Sequence, residues 1–334
     1  MTASSLSRPR LHGLIDGCGR TIDHLRLSVT STCDLRCAYC RPNGHANARS
    51  SSGSLTDEQR VEFVRFLHEW YGLTQVRITG GEPLLYRGVT RLVAELRRAI
   101  FELELAITTN GRLLYDKGFE LFHAGLDRLN VSLDSLKPER YHQITGANIE
   151  GVLNGIESAR FVGFRTLRIN TVVLRGVNDD EIIDLSIWAL ARGLEIRFLE
   201  AMPIGPAADF NRSAFVSGAE VKAILARRFQ LNHLRRKPGE TARRFRATCR
   251  GADGIIGLIA PITEPFCSAC RRIRLTAEGI LYPCLLDNRS VDMRPAWSNS
   301  GLSPGKADKL IRLAVAAKGP HGSSQATQMV TLGG

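Results

Sequence analysis

The stretch H24-L-R-L-S-V-T-S-T-C33-D-L-R-C37-A-Y-C40 carries the decision about the fold. Its first seven residues alternate, with Leu25, Leu27 and Val29 on one side of an extended chain and Arg26, Ser28 and Thr30 on the other. One face is apolar and the other offers a guanidinium and two hydroxyls. Three thiols then follow in the spacing CxxxCxxC, on a loop at the strand's carboxyl end. Parallel α/β architectures gather their ligand sites at such ends.

The same alternation recurs along the chain. Val76 and Ile78 oppose Arg77 and Thr79, and Val131 and Leu133 oppose Asn130, Ser132 and Asp134. Strands are predicted near 24–30, 75–79, 103–109, 127–133, 166–174 and 194–200, with helices over 57–71, 88–100, 112–124, 151–163 and 180–191. That is about six βα units around a parallel sheet. A filled eight-stranded barrel has a lumen of Val, Ile and Leu. Here the polar faces predict an open barrel that holds polar ligands.

The pattern changes after Pro203. A turn-rich link, a helix over 217–229 and two short strands around 251–254 predict a smaller second module. The Ser/Gly-rich stretch 43–54 reads as a flexible loop, and the residues from about 319 lack the apolar periodicity to fold alone.

Composition bounds the class. With 334 residues there is ample material for a buried core, which excludes a small disulfide scaffold. No run of about eighteen apolar residues occurs, and the opening residues lack the apolar stretch of a secretory signal, so a cytoplasmic location is expected. Forty-five Lys and Arg against thirty-three Asp and Glu give a net charge of +12, which points to an anionic partner.

Six of the eight cysteines fall in two clusters, with Cys18 and Cys249 apart. Cys33, Cys37 and Cys40 form the first. A structural zinc site closes with four ligands, whereas three cysteines on a [4Fe-4S] cube leave one iron free for a small molecule. The second comprises Cys267 and Cys270 in a CxxC, with Cys284 fourteen residues on. Spacing alone leaves two readings open here: a zinc site completed by Cys249, or a second open iron-sulfur cluster.

The CxxxCxxC loop with Tyr39 before its third cysteine, followed by T79-G-G-E-P83, resembles the radical S-adenosylmethionine superfamily. Further stretches narrow the likeness: G19-R-T-I-D-H-L-R-L-S-V-T30, T108-T-N-G111, N130-V-S-L-D134, G176-V-N-D-D180, F266-C-S-A-C270, R272-I-R-L275 and the terminal Gly333-Gly334. Together they are similar to the GTP 3',8-cyclases, which begin molybdenum cofactor biosynthesis. The resemblance implies an α/β fold: an incomplete (β/α)6 radical-SAM barrel over 1–203 and a smaller α+β carboxy-terminal module over 204–318. That module carries the second cluster and closes the barrel, and a tail over 319–334 reaches the active site.

It also implies two [4Fe-4S] clusters and S-adenosyl-L-methionine as cofactors. The first cluster sits on Cys33, Cys37 and Cys40, with Tyr39, Gly81, Ser132 and Met202 around the S-adenosylmethionine. The second sits on Cys267, Cys270 and Cys284 and binds the guanine base. Arg26, Arg77, Thr108, Arg168, Arg197, Arg272 and Arg274 hold the rest of GTP, and Gly333 and Gly334 help position it. The implied reaction removes hydrogen from C3' of GTP with a 5'-deoxyadenosyl radical and closes the 3',8 bond to give 3',8-cyclo-7,8-dihydroguanosine triphosphate.

Implied partners are an electron donor such as flavodoxin or ferredoxin, the downstream cyclic pyranopterin synthase and a second copy in a homodimer, with no nucleic acid and no membrane. The chain departs from the family pattern at Ser31-Thr32, at Arg41, at Arg271 and in a short 287–320 segment. Two rivals remain open on sequence, a radical enzyme that modifies peptides and a zinc-containing nucleic-acid-binding protein.

Overall fold

A computed structural model of the chain describes residues 13–41, 53–237 and 239–321. Residues 43–52 of the expected loop, and Gly333 and Gly334, lie outside the described residues.

Six βα units occupy the first part: β1 (His24–Ser28), α1 (Asp57–Tyr71), β2 (Gln75–Thr79), α2 (Val89–Ala99), β3 (Glu104–Thr109), α3 (Leu114–His123), β4 (Arg128–Ser132), α4 (Pro138–Thr145), α5 (Glu150–Val162), β5 (Thr166–Val173), α6 (Ile182–Leu190) and β6 (Glu195–Glu200). The first helix shows why the boundaries were legible. Thr56 and Gln59 exchange side-chain to backbone hydrogen bonds at its start, and Gly72, at φ +73°, ends it. Between them Phe63, Val64, Leu67 and Tyr71 form the buried stripe. α4, with Pro138 in its first turn, is a helix the periodicity did not announce.

Beyond these lie α7 (Ala208–Ser213), α8 (Gly218–Ala226), β7 (Gln230–His233), β8 (Arg243–Cys249), β9 (Ala252–Ile259), β10 (Arg272–Leu275), β11 (Ile280–Tyr282), β12 (Val291–Asp292) and α9 (Pro304–Ala316). These later strands do not form a sheet of their own. A single twelve-stranded sheet runs β12-β11-β10-β1-β2-β3-β4-β5-β6-β9-β8-β7. β10 pairs in parallel with β1, and β9 in parallel with β6, so the later segment covers both edges of the six-stranded unit. Edge strands expose unpaired backbone groups, and adding strands at each side satisfies them.

The alternation holds in three dimensions. Leu25, Leu27, Val29, Val76, Ile78, Val131 and Leu133 are buried under the helices. Residues on the opposite faces of β1 to β6, β9 and β10 line one cavity, so the sheet curls around it.

Candidate active site

The cavity has a volume of about 340 Å³. Strand direction places the two cysteine triads at opposite ends of it. Cys33, Cys37 and Cys40 follow the carboxyl end of β1. Cys267 and Cys270 precede the amino end of β10, which runs parallel to β1 with His24 opposite Arg272. β11 returns antiparallel, with Tyr282 opposite Arg274, and delivers Cys284 to that same lower end. All six cysteines line the cavity, whereas Cys249 ends β8 and does not.

Four further expected residues, Tyr39, Gly81, Ser132 and Met202, line the upper part. The Tyr39 hydroxyl donates to Asp134 Oδ2 at 2.7 Å, and the Val172 N–H donates to Asp134 Oδ1 at 2.8 Å. Burial pushes the Asp134 carboxyl up to about 6, against those bonds. Glu82 is also buried and raised to about 7, although the Asn110 N–H and Thr109 hydroxyl donate to it at 2.6 Å and the Leu84 N–H at 3.0 Å. Two carboxyls near neutrality thus flank the first triad.

Gly81 serves the chain as much as the cavity. Its N–H donates to Thr30 O at 2.8 Å, and the Glu82 N–H donates to Thr32 O at 2.8 Å. A methyl group at Gly81 would overlap the Thr32 carbonyl. The GGEP turn therefore braces the loop that presents Cys33. Asp34 braces it from the other side, accepting from Asn110 Nδ2 at 2.7 Å and Arg112 Nη1 at 2.5 Å. The Arg41 guanidinium also ties into this loop, donating to the Ser31 carbonyl.

Among the expected GTP residues, Arg26, Arg77, Thr108, Arg197, Arg272 and Arg274 line the cavity. Arg168 does not. Its Nε donates to Glu195 Oε2 at 3.0 Å, and its Nη1 is buried with no partner among the described residues. Glu195 also accepts from Arg197 Nε at 2.6 Å, so one carboxylate serves two guanidiniums. Loss of surrounding water, with Arg274, Arg77 and Arg272 nearby, pulls the Arg26 guanidinium well below its usual range. The same burial acts on Arg77, with Arg128, Arg197, Arg272 and Arg168 adding to it. Arg274 is lowered to about 10 by burial and then by Arg272. Like charges enclosed together are costly until an anion joins them.

The lower triad differs electrically from the upper one. Burial raises the thiols of Cys33, to about 11, and of Cys37 and Cys40. At Cys270 burial acts in the same direction, but the charges of Arg272 and Lys318 outweigh it and bring the thiol to about 6. Arg272 Nη2 lies 3.6 Å from the Cys270 sulfur, and its guanidinium stands over the Phe266 ring. Arg271 is anchored by two bonds to Asp23.

Lys318, Asn170 and Asn211 also line the cavity and had no local signal in the sequence. Asn211 Nδ2 donates to Tyr39 O at 3.0 Å and Met202 O at 2.8 Å, which joins two expected cofactor contacts.

The fit to an iron-sulfur cluster with S-adenosylmethionine rests on this donor set. Three thiols come from one braced loop, and Thr79 Oγ1, Thr108 Oγ1 and Asn170 Oδ1 are buried on the cavity wall with no partner among the described residues. Buried polar atoms call for partners, and a polar ligand in the lumen supplies them. Among the described residues no three His, Cys, Asp or Glu side chains converge closely enough to hold a single metal ion.

The sequence matches the Radical SAM superfamily over residues 27–189 and the Molybdenum Cofactor Synthesis C family over 194–323. In structure it is similar to Streptococcus suis SuiB bound to S-adenosylmethionine, with a TM-score of 0.56 at 16% identity, covering 86% of this chain and 66% of that one. Fold and site together define a radical S-adenosylmethionine enzyme. A GTP 3',8-cyclase from Petrotoga mobilis is 40% identical over 283 residues, 84% of this chain and 86% of the relative. Another, from Thermodesulfovibrio yellowstonii, is 36% identical over 326 residues, 96% of this chain and 99% of the relative. The chain belongs to the GTP 3',8-cyclase family.

Proposed function

We infer that the protein converts GTP to (8S)-3',8-cyclo-7,8-dihydroguanosine 5'-triphosphate, the first step of molybdenum cofactor biosynthesis. The observation that carries this reading is one cavity with a cysteine triad at each end and arginines between them. In this reading two [4Fe-4S] clusters are held, one by Cys33, Cys37 and Cys40, the other by Cys267, Cys270 and Cys284. When bound, the upper cluster and S-adenosylmethionine supply the carbon radical that opens the reaction.

The chain's own residues place the reactants. Tyr39, Gly81, Ser132 and Met202 wall the S-adenosylmethionine pocket, with Glu82 and Asp134 available to its ammonium group. Arg26, Arg77, Arg197, Arg272 and Arg274 bind the triphosphate and ribose, since guanidinium forks match phosphate oxygens. Thr108 offers a hydroxyl to the nucleotide. Arg168 acts through Glu195, which orients Arg197. The curled sheet keeps water from the reacting carbon, and the fixed spacing between the cavity's ends supplies orientation.

The functional division follows 1–203, 204–318 and 319–334; the role expected of Gly333 and Gly334 falls outside the described residues. Partners in this reading are an electron donor such as flavodoxin or ferredoxin, the downstream cyclic pyranopterin synthase and a second copy of the chain. Among the described residues no helix is long and apolar enough to cross a membrane, which is compatible with work in the cytoplasm.

The test is anaerobic turnover of reduced, iron-reconstituted protein with S-adenosylmethionine and GTP, analysed by product mass. Methionine, 5'-deoxyadenosine and the cyclic nucleotide should form together. Deoxyadenosine without the cyclic nucleotide overturns the assignment of GTP.

A further inference from the structure

Residues from opposite ends of the chain meet at the lower cysteine triad. Asp16, in the short hairpin closed by the Ile15–Thr21 bridge, accepts the Cys18 and Arg20 N–H groups at 2.9 and 3.0 Å through Oδ1. Its Oδ2 accepts Arg20 Nε at 2.6 Å. That orients the Arg20 guanidinium, which is 9% exposed. Its outer nitrogens donate to the carbonyls of Cys267 at 2.8 Å, Gly319 at 2.8 Å and Pro320 at 3.3 Å.

Lys318 repeats the arrangement from the cavity side. It is 3% exposed, and its Nζ donates to Arg272 O at 2.9 Å and Pro283 O at 2.5 Å. Among the described residues its charge meets carbonyl oxygens and no carboxylate. One cation therefore grips the backbone of Cys267, the other grips the residue before Cys284, and both attach those loops to residues 318–320. Gly319 and Pro320 follow α9 (Pro304–Ala316), so Arg20 fastens the chain just after that helix ends.

We propose that Arg20 and Lys318 form a clamp of positioning residues that sets the lower triad and the carboxy-terminal segment as one unit. The substrate end of the cavity then reaches its working geometry only when residues 318–320 are seated. This rests on the reading of the lower triad as an iron-binding, substrate-facing site. Charge-assisted bonds are stronger than neutral ones, and removing the Lys318 ammonium takes the donor from the buried Pro283 carbonyl.

The experiment compares full-length, iron-loaded wild type with Lys318→Met, Arg20→Lys and Asp16→Asn. The last keeps both cations and loosens only the orientation of Arg20. In hydrogen-deuterium exchange, each variant should speed amide exchange by about tenfold or more in residues 283–287 and 316–321 together, with 33–41 unchanged. The KM for GTP should rise about tenfold while that for S-adenosylmethionine holds, and the electron paramagnetic signal of the lower cluster should change line shape.

Faster exchange in only one of the two segments overturns the clamp, as does an equal rise in both KM values. Failure of the underlying reading has its own signature. Cys284→Ala would then retain as much iron as wild type, whereas the exchange comparison is decided without reference to that iron.

Discussion

Arg26 on β1 and Arg274 on β10 stand opposite each other in a parallel pairing, two guanidiniums side by side on a cavity wall. Arg77 extends the row on the other flank of Arg26. Nothing about local folding favours such a row. In the function proposed here the triphosphate of GTP joins the row, and this gives the first expectation. Replacing Arg77 with Met keeps the stem and removes one of the crowded charges. The ligand-free chain should hold or gain stability in urea, while GTP binding measured by titration calorimetry weakens at least about tenfold. An unchanged Kd for GTP would remove Arg77 from the substrate site.

The triads should separate by function. Cys33→Ala and Cys284→Ala should each lower iron from about eight to about four per chain. Cys33→Ala should lose cleavage of S-adenosylmethionine, while Cys284→Ala should keep much of it and lose the cyclic nucleotide. Iron analysis with deoxyadenosine and nucleotide quantitation checks both, and wild-type cleavage by Cys33→Ala would refute the first assignment.

Gly81 is packed against the Thr32 carbonyl. Gly81→Ala should destabilise the chain by about 1 to 3 kcal/mol and push the Cys33 loop away, with loss of iron from the upper triad. Urea melts and iron counts measure the two effects. A stable variant with a full iron content would show that the loop does not depend on this contact.

Acid should act through His24. Burial, then Arg271, Arg272 and Arg77, lower its pKa from 6.5 to about 4 against the pull of Asp23. The unfolded chain therefore binds the proton first, so His24 contributes full stability above pH 6.5 and loses it as the pH falls towards about 4. Compared with His24→Asn, wild type should lose about 2 kcal/mol between about pH 7.5 and about pH 4.5 in denaturant unfolding of the ligand-free chain. Glu82, raised to about 7, acts in the opposite sense by favouring the folded state on acidification, and it cancels in the comparison. A pH-independent difference would mean that His24 titrates normally.

The six βα units were readable because each rests on short-range rules. Alternation marks a strand, and a capping box with a terminal glycine marks α1. The helix α4 escaped because eight residues carry too little periodicity, and β10, β11 and β12 because they are two to four residues long. That the strands of the later segment lie on both edges of one sheet is encoded by no local pattern.

At the site, the sequence by itself determined the donors: the two thiol triads and the arginines whose strand parity turns them to the lumen. These depend on residue type and on a period of two. Only the tertiary structure decided that the triads occupy opposite ends of one cavity, because that follows from β10 running parallel to β1. It also decided that Arg168 turns to Glu195 and that Arg20 and Lys318 meet at the lower triad. Pairings between distant segments are settled by edge satisfaction and burial, which act only once the sheet has curled.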